Sequence, residues 1–447
     1  MRIPRTPPNP DEIFQKIFKE GEFERVQAVM STVPAVNTYN AYNHWEKIRF
    51  SKPFSEFSAE ENWFIIKNAR RATMRYLPFE AIKESEYKLH FTRPDCLLSS
   101  LSRLDMRIGG TVTASTDKIS RTDAQRYLQS SFLEEPFSSS VLEGAITTRE
   151  RARKLIESGQ QPQDLSDHMV INNYQAMSFI KQHLDDDLTP EFILECQQII
   201  TQGTLDRPEM SGKLRDNDDV FVGDDFGAIF HVPPTFSSLE RRLELICEFA
   251  NSPTQANRPY FHPLVKAIIV HFMIAYDHPF IDGNGRTARA LFYWVALKSG
   301  YWMIEYTSIS SVIKEAPNKY GLSFLHTETD QNDLTYFILH QLGVLEKAIE
   351  NLHFYMERQR QIYDKLESNL RDDTLNQRQK ILLGDMIRGK INAAEISKQE
   401  VRHNVSYITA RKDLEELKSS GWLIKKKMGR NSYYFKGRKF KDLTTKL

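Results

Sequence analysis

The chain has 447 residues, of which 40% are apolar and 27% charged, and its formal net charge is +1. This length predicts about two to four domains of an ordinary globular protein. Three widely spaced cysteines, Cys96, Cys196 and Cys247, argue against a disulfide scaffold or a structural zinc site and favour a reducing compartment. The longest apolar run, at 267–276, is about half a membrane span, and no apolar signal segment opens the chain. We therefore expect a cytoplasmic protein with no membrane partner.

The net charge conceals an asymmetry between the two ends of the chain. Residues 377–447 contain 18 Lys/Arg and 7 Asp/Glu, so the remainder is acidic. A basic tail on an acidic body predicts a separate module with its own partner. The opposite end, 1–115, mixes helical pattern with polar loops, and we expect an N-terminal helical region there without recognisable chemistry.

Helical periodicity dominates the middle of the chain, where we expect one domain over 116–345. Near its start, residues 138–144 combine serines, which cap helices well, with a glycine, which ends them. By themselves these residues indicate a capped helical turn. One part of the domain is not helical, because two β-prone runs, 220–223 and 228–232, flank a turn and predict a hairpin within 216–234. An isolated hairpin is marginally stable, so it must pack on the helices.

The most informative stretch is 278–289, which reads His-Pro-Phe-Ile-Asp-Gly-Asn-Gly-Arg-Thr-Ala-Arg. An apolar helix over 264–276 is expected to end at or just before His278, because Pro279 disfavours helical backbone in the residue that precedes it. A second helix follows the Gly-Asn-Gly run, 283–285. Its glycines permit backbone N–H groups to converge on an anion at the N-terminus of that second helix.

Charged residues surround this anion nest. Arg286 and Arg289 are three residues apart and therefore project to one side of the first helical turn. Asp282 is a hard oxygen ligand placed to hold Mg²⁺. His278, with an ordinary pKa near ~6.5, is the natural proton acceptor. Chemistry on a phosphate ester uses all of these groups, whereas the alternative is a tight helix–helix connection beside a structural histidine.

The stretch 278–289 resembles the Fic family signature, His-x-Phe-x-Asp/Glu-Gly-Asn-Gly-Arg-x-x-Arg, at every fixed position. The resemblance extends over about 120–345 and includes the predicted hairpin. It implies a mainly α fold, a Fic helical bundle with a small β-hairpin flap. It also implies transfer of AMP from ATP to a hydroxyl side chain of a target protein, with release of pyrophosphate and with ATP and Mg²⁺ as cofactors.

The resemblance assigns roles to individual residues. His278 would deprotonate the target hydroxyl, Asp282 would hold Mg²⁺, and Phe280 would be a core anchor. ATP and its phosphates would be bound by the loop, the first helical turn, the flap and one tyrosine, which are Gly283, Asn284, Gly285, Arg286, Thr287, Ala288, Arg289, Val220, Phe221, Val222, Gly223 and Tyr320. Family kinases tend to have lysine where this chain has Gly285, so that glycine favours AMP transfer.

The run at 139–144 resembles the family's inhibitory motif, Ser/Thr-x-x-x-Glu-Gly/Asn, with Ser139 as its first residue. The resemblance implies that Glu143 pairs with Arg289 and occupies the place of the γ-phosphate. We therefore expect an autoinhibited adenylyltransferase that modifies a Ser, Thr or Tyr of a target protein, or of itself. Some family members use this glutamate to remove AMP, so a bifunctional enzyme that acts mainly as a de-AMPylase stays open.

A long charged helix and a linker, together 346–376, precede the basic module at 377–447. The module's pattern predicts a helix over 381–387, a second that opens at 392–397, a third over 405–417 and a hairpin over 422–435. This order resembles a winged helix-turn-helix, an α+β fold.

The winged helix-turn-helix would use 406–412 as its recognition helix and the basic residues 425–430 as its wing. DNA contact is one interpretation, in which the whole chain is a nucleotide-sensing transcription regulator. The other is a protein-docking module or a homodimer contact with a solvated basic face.

Overall fold

The computed structural model describes residues 2–19, 23–33, 41–79, 88–108, 133–158, 160–223, 227–253, 260–370, 375–387, 391–403, 405–428 and 431–439. The chain divides into two compact units. One comprises Met1–Lys118 and Ser131–Ile349, and the other comprises Ile119–Ser130 and Glu350–Leu447. Among the residues described, no helix combines the length and apolar character needed to cross a lipid bilayer.

The first unit is mainly helical, which confirms the predicted fold class. Its helices, in chain order, are α1 (Pro10–Lys19), α2 (Phe23–Thr32), α3 (Trp45–Ser51), α4 (Ala59–Arg71), α5 (Asp95–Ile108), α6 (Glu134–Leu142), α7 (Arg149–Ser158), α8 (Leu165–Gln182), α9 (Pro190–Thr201), α10 (Leu239–Asn251), α11 (Pro263–Asp277), α12 (Asn284–Lys298), α13 (Ile309–Glu315) and α14 (Pro317–Thr329). A long helix, α15 (Thr335–Leu370), begins in this unit.

Two small antiparallel hairpins complete the first unit. Strand β1 (Arg75–Tyr76) pairs with β2 (His90–Phe91), and β3 (Val222–Gly223) pairs with β4 (Ile229–His231). The hairpin predicted within 216–234 is therefore present, although residues 224–226 lie outside the described part. Gly223 suits this close pairing, because an added Cβ atom would lie 2.6 Å from the Ala228 carbonyl oxygen.

Helices α11 and α12 form the centre of the core. Ile268 and Phe272 of α11 and Leu291 and Trp294 of α12 are fully buried. Because α11 is covered on all sides, its sequence is apolar nearly all round instead of along one stripe. The connection between these two buried helices is the signature stretch, so the fold holds that stretch at a fixed place.

The N-terminal helices pack on the end of α14 through buried charges. Lys67 Nζ lies 2.9 Å from Asp330 Oδ1, and Arg70 Nη1 donates to the Tyr336 hydroxyl at 2.7 Å. Ser58 and Glu61 form a capping box that starts α4. Sequence analysis found no chemistry in this region, and these contacts show that part of its role is packing on the Fic-like helices.

The second unit contains α16 (Gln377–Ile387), β5 (Ala393–Glu395), α17 (Ile396–His403), α18 (Tyr407–Ser419), β6 (Leu423–Met428) and β7 (Asn431–Lys436). Its strands form an antiparallel sheet in the order β5-β7-β6 around a small core that includes Leu383, Leu414 and Tyr434.

One prediction for the second unit is partly wrong, and another lies partly outside the described residues. The prediction that a helix opens at 392–397 is wrong for its first half, because Ala394 pairs with Tyr434 in the sheet and the helix starts at Ile396. Residues 429 and 430 of the predicted wing lie outside the described residues. The winged helix-turn-helix assignment and its partner stay predictions.

Candidate active site

The signature stretch begins where α11 ends. His278 has φ +45°, in the left-handed region, and its N–H donates to the Ile274 carbonyl at 3.1 Å. A non-glycine residue in this conformation costs about 1–2 kcal/mol, so the surroundings must hold it there. Gly283, with φ +85°, is also left-handed and precedes the first residue of α12. The chain therefore turns sharply twice between two buried helices, and His278 lies at the first turn.

The His278 ring is oriented by its own helix. Nδ1 lies 3.3 Å from the Ala275 carbonyl oxygen, so we assign the proton to Nδ1 and leave the lone pair on Nε2. Burial lowers the pKa of His278 from its usual 6.5, and nearby cations act in the same direction, whereas Glu143 opposes them. The ring is therefore neutral at pH 7 and able to accept a proton.

Asn284 fastens the loop between the two helices. Its amide Nδ2 donates to the Phe280 carbonyl at 2.8 Å, and its Oδ1 accepts the Phe280 N–H at 3.0 Å. Phe280 is fully buried, so it is a core anchor as predicted. Asn284, Thr287 and Ala288, which were predicted to bind phosphate, are all buried.

The N-terminus of α12 faces a carboxylate from another helix. The first N–H groups of α12 have no partner inside the helix and carry its positive end. Above them, a Cβ atom added to Gly285 would lie 2.3 Å from Glu143 Oε1. An acidic group thus already occupies the anion-binding position that the sequence predicted.

Arg289 holds this carboxylate. Its Nη2 donates to Glu143 Oε1 at 2.8 Å, and its Nε and Nη2 donate to Ser139 Oγ at 3.0 and 2.9 Å. Burial by itself would raise the pKa of Glu143, but the charge and hydrogen bond of Arg289, together with the charges of Arg286 and His278, outweigh burial, and the pKa is lowered from 4.5. Glu143 is therefore an anion at neutral pH.

The serines of the 138–144 run do not cap a helix, so that expectation is wrong. Helix α6 begins at Glu134, and Ser139 lies inside it. Ser139 Oγ is instead used by Arg289 from a distant part of the chain. Gly144, with φ +97°, follows the end of the helix as expected.

Asp282 and Arg286 form the outer part of the site. Asp282 Oδ2 lies 3.0 Å from Arg286 Nη2, and the Asp282 side chain is 52% exposed. Arg286 is buried, and its Nε has no hydrogen-bond partner among the described residues. Mg²⁺ is usually held by one or two carboxylates together with substrate phosphates and water. One accessible carboxylate next to a phosphate nest fits that pattern. In the described part of the chain, no group of three His, Cys, Asp or Glu residues is arranged to hold a metal by itself.

A cavity of about 300 Å³ opens beside the helix N-terminus. Its lining includes predicted site residues, which are Glu143, His278, Gly285 and Arg289. Apolar and aromatic side chains also line it, among them Val222, Phe230, Tyr320, Phe324 and Leu325. Such a cavity accommodates a small ligand with charged and apolar groups.

Tyr320 lines this cavity, whereas only part of the predicted flap does. The Tyr320 hydroxyl lies 2.9 Å from His271 Nε2 at the cavity wall. Of the predicted flap residues, Val222 lines the cavity, whereas Phe221 is 55% exposed and faces solvent. Val220 and Gly223 are not among the lining residues.

Two residues at the flap, Arg215 and His231, were not predicted from the sequence. Arg215 Nε donates to the His278 carbonyl at 3.1 Å, its Nη1 donates to the Asn217 carbonyl at 2.7 Å, and its Nη2 donates to the Pro234 carbonyl. Arg215 therefore ties both ends of the flap to the signature stretch. The second residue is His231 of β4, which lines the cavity. Neither residue has a local signal, because Arg215 is a single basic residue in a polar stretch and His231 is a single polar residue in an apolar β-prone run.

Part of the chain is similar to known proteins. Residues 187–296 match the Fic/DOC family. A protein adenylyltransferase Fic from Nematostella vectensis is 24% identical over 215 residues, which are 46% of this chain and 48% of the relative. One from Drosophila yakuba is 27% identical over 231 residues, which are 51% of this chain and 43% of the relative. The matches therefore span less than half the length of these relatives.

A crystal structure gives the same fold. The Fic family protein from Desulfovibrio desulfuricans G20 superposes with a TM-score of 0.51 at 16% identity, covering 79% of this chain and 99% of that one. The signature is complete at 278–289, and it spans the turn between α11 and α12 and the start of α12. Residues 187–296 of this chain thus match the Fic/DOC family, and the complete signature lies within the matched residues.

Proposed function

We propose that this protein transfers AMP from ATP to a hydroxyl side chain of a target protein, and that Glu143 restrains this activity. One observation carries the proposal: the Glu143 carboxylate lies 2.8 Å from Arg289 at the N-terminus of α12, in the same cavity as His278. The names of the related proteins support the same reaction class.

The residues support an in-line displacement at phosphorus. His278 Nε2 takes the proton of the target hydroxyl, and the hydroxyl oxygen forms a bond to the α-phosphorus. The bond from the α-phosphorus to the oxygen that bridges to the β-phosphate breaks, and pyrophosphate leaves. The N–H groups at the start of α12 stabilise the negative charge on the phosphates. Asp282 would hold Mg²⁺, which would neutralise further phosphate charge.

The charge and the position of Glu143 explain how it would restrain AMP transfer. A carboxylate that pairs with Arg289 above Gly285 occupies space that a phosphate needs, and it repels that phosphate. A bound nucleotide would then lack the alignment that attack on its α-phosphorus requires.

The test is incorporation of AMP from α-labelled ATP into proteins of a lysate. We expect Glu143→Gly to raise incorporation well above that of the wild-type chain, and His278→Ala in the same background to abolish it. Mass spectrometry then identifies the modified residue. Equal incorporation by the wild type and Glu143→Gly would contradict the restraint, and labelling that survives His278→Ala would contradict the role of His278.

AMP removal is a second candidate function, favoured by the position of the Glu143 carboxylate beside His278 in one cavity. A carboxylate there is placed to activate water instead of only blocking phosphate. A target modified by the Glu143→Gly variant, repurified and mixed with the wild-type chain, would lose its label if this function operates. Retention of the label by wild type and Glu143→Gly alike would exclude it.

A further inference from the structure

His231, the last residue of β4, joins three elements of the first unit. Its side chain is 8% exposed, and its Nδ1 lies 2.9 Å from Glu328 Oε2 on α14. Its Nε2 lies 2.7 Å from the carbonyl oxygen of Tyr276, in the last turn of α11 and two residues before His278. The flap strand β4, helix α14 and the end of helix α11, which precedes His278, therefore meet at one imidazole ring.

Both ring nitrogens of His231 face hydrogen-bond acceptors. A neutral imidazole has one N–H, so it would leave one lone pair pointing at an oxygen, whereas an imidazolium donates to both. The Tyr276 carbonyl is available, because the N–H four residues later, that of Phe280, donates to Asn284 Oδ1 at 3.0 Å. A carbonyl in the last turn of a helix also carries the negative end of the helix dipole, which favours a cation.

The charged groups around His231 shift its pKa in both directions. Glu328 from α14 and Asp277 from α11 attract a proton, although Asp277 is also paired with Arg242 of α10 at 2.6 Å. Arg215, at the ends of the flap, and His278 are the nearby basic groups. Burial acts to lower the pKa of His231, but Glu328 and the Tyr276 carbonyl outweigh it, and the pKa is raised above 6.5.

Arg215 holds the two ends of the flap through the Asn217 and Pro234 carbonyls. Between these ends, Val222 and Phe230 line the cavity, whereas Phe221 and Ile229 are 55% and 48% exposed. An isolated two-stranded hairpin is marginally stable, so contacts with the helices help to hold this one.

We propose that His231 is a positioning residue, whose imidazolium ring fixes the flap strand over the cavity and fixes the end of the helix that carries His278 through Glu328 and the Tyr276 carbonyl. Its consequence for AMP transfer rests on the proposed function, whereas the contact itself does not. Because a raised pKa means that the bound state favours the proton, the flap is held below that pKa and is released as pH rises through it.

The test combines two measurements on the full chain that need no enzymatic activity. Nitrogen-15 NMR of the histidine rings gives the pKa of His231, and hydrogen–deuterium exchange reports the protection of amides at 227–232, corrected for the intrinsic effect of pH. We expect a pKa above 6.5 for His231, and stronger protection of these amides at pH 6 than at pH 8.5.

Variants separate positioning from general stability. His231→Gln and Glu328→Gln are expected to exchange at 227–232 about ten-fold faster at pH 6 and to lose the pH dependence, since each removes a charge-assisted hydrogen bond. Glu328 is partly exposed, so its variant keeps the core intact. The matched control is His262→Gln, which removes a histidine–carboxylate pair with Asp105 (3.0 Å) at the opposite end of α11. It should leave the flap as in the wild type.

A His231 pKa below 6.5, or flap exchange that His231→Gln leaves unchanged, overturns the proposal. The same variants in the Glu143→Gly background separate this outcome from failure of the proposed function. If His231→Gln accelerates exchange of the flap amides but no variant transfers AMP, the positioning role of His231 stands and the proposed function is wrong. If Glu143→Gly transfers AMP but His231→Gln leaves the exchange rate of the flap amides unchanged, the positioning role of His231 is wrong and the proposed function stands.

Discussion

The carboxylate of Glu143 lies so close to Gly285 that a Cβ atom at position 285 would stand 2.3 Å from Oε1. One glycine therefore leaves room both for an anion at the N-terminus of α12 and for the glutamate that now takes its place. The two residues are far apart in the chain, and Arg289, four residues after Gly285 on α12, pairs with Glu143 at 2.8 Å. The proposed restraint and the proposed phosphate binding would therefore compete for the same space.

We expect Gly285→Ala to destabilise the wild-type chain by about 1–3 kcal/mol, because the new methyl group must displace Glu143. In the Glu143→Gly background the same substitution should cost clearly less, since the nearest obstacle is gone. Denaturant unfolding of the four chains measures the coupling free energy. Equal cost of Gly285→Ala in both backgrounds would show that Glu143 does not occupy this position.

Ser139→Ala should loosen the restraint. Ser139 Oγ accepts two hydrogen bonds from the buried Arg289 guanidinium, at 3.0 and 2.9 Å. Loss of this acceptor is expected to cost about 1–3 kcal/mol of stability and to raise AMP incorporation to a level between wild type and Glu143→Gly. The control is Ser138→Ala on the same helix, since Ser138 Oγ donates to Glu134 instead. If both serine variants raise incorporation equally, disruption of α6 explains the effect.

The pH profile of AMP transfer by Glu143→Gly should be bell-shaped. The rate rises as pH increases through the pKa of His278, which burial lowers below 6.5, because the ring must be neutral to accept a proton. The rate falls as pH increases through the pKa of His231, which is raised above 6.5, because the ring must be charged to hold the flap. Initial rates in buffers of constant ionic strength give both limbs. His231→Gln should remove only the upper limb, and an unchanged upper limb would assign it to another group.

The buried pair of Lys67 and Asp330 should matter greatly for stability. Their side chains are 2% and 1% exposed, so Lys67→Met leaves a buried carboxylate without its main cation, and we expect a loss of about 3–5 kcal/mol. Lys16→Met is the matched control, because its pair with Glu60 is exposed and should contribute about 0–1 kcal/mol. Urea unfolding measures both. Similar losses for the two lysines would mean that the N-terminal helices do not dock through Lys67.

The local features of this protein can be predicted from short stretches of its sequence. The end of α11 before Pro279, the left-handed Gly283, the buried α11 and the flap hairpin all follow from backbone restrictions and residue periodicity, which act over a few positions. The same local reasoning misplaced Ser139 at a helix cap and Ala394 in a helix, because distant partners, Arg289 and Tyr434, decide the role of each.

Which charges meet depends on contacts between distant parts of the chain. Arg289 and Glu143 are 146 positions apart, and in the sequence only the resemblance to a family motif connects them. No motif indicated Arg215 at the ends of the flap or His231 between Glu328 and the end of α11. Such contacts depend on how whole helices pack against one another, and helix packing brings together residues that no pattern within a short window relates.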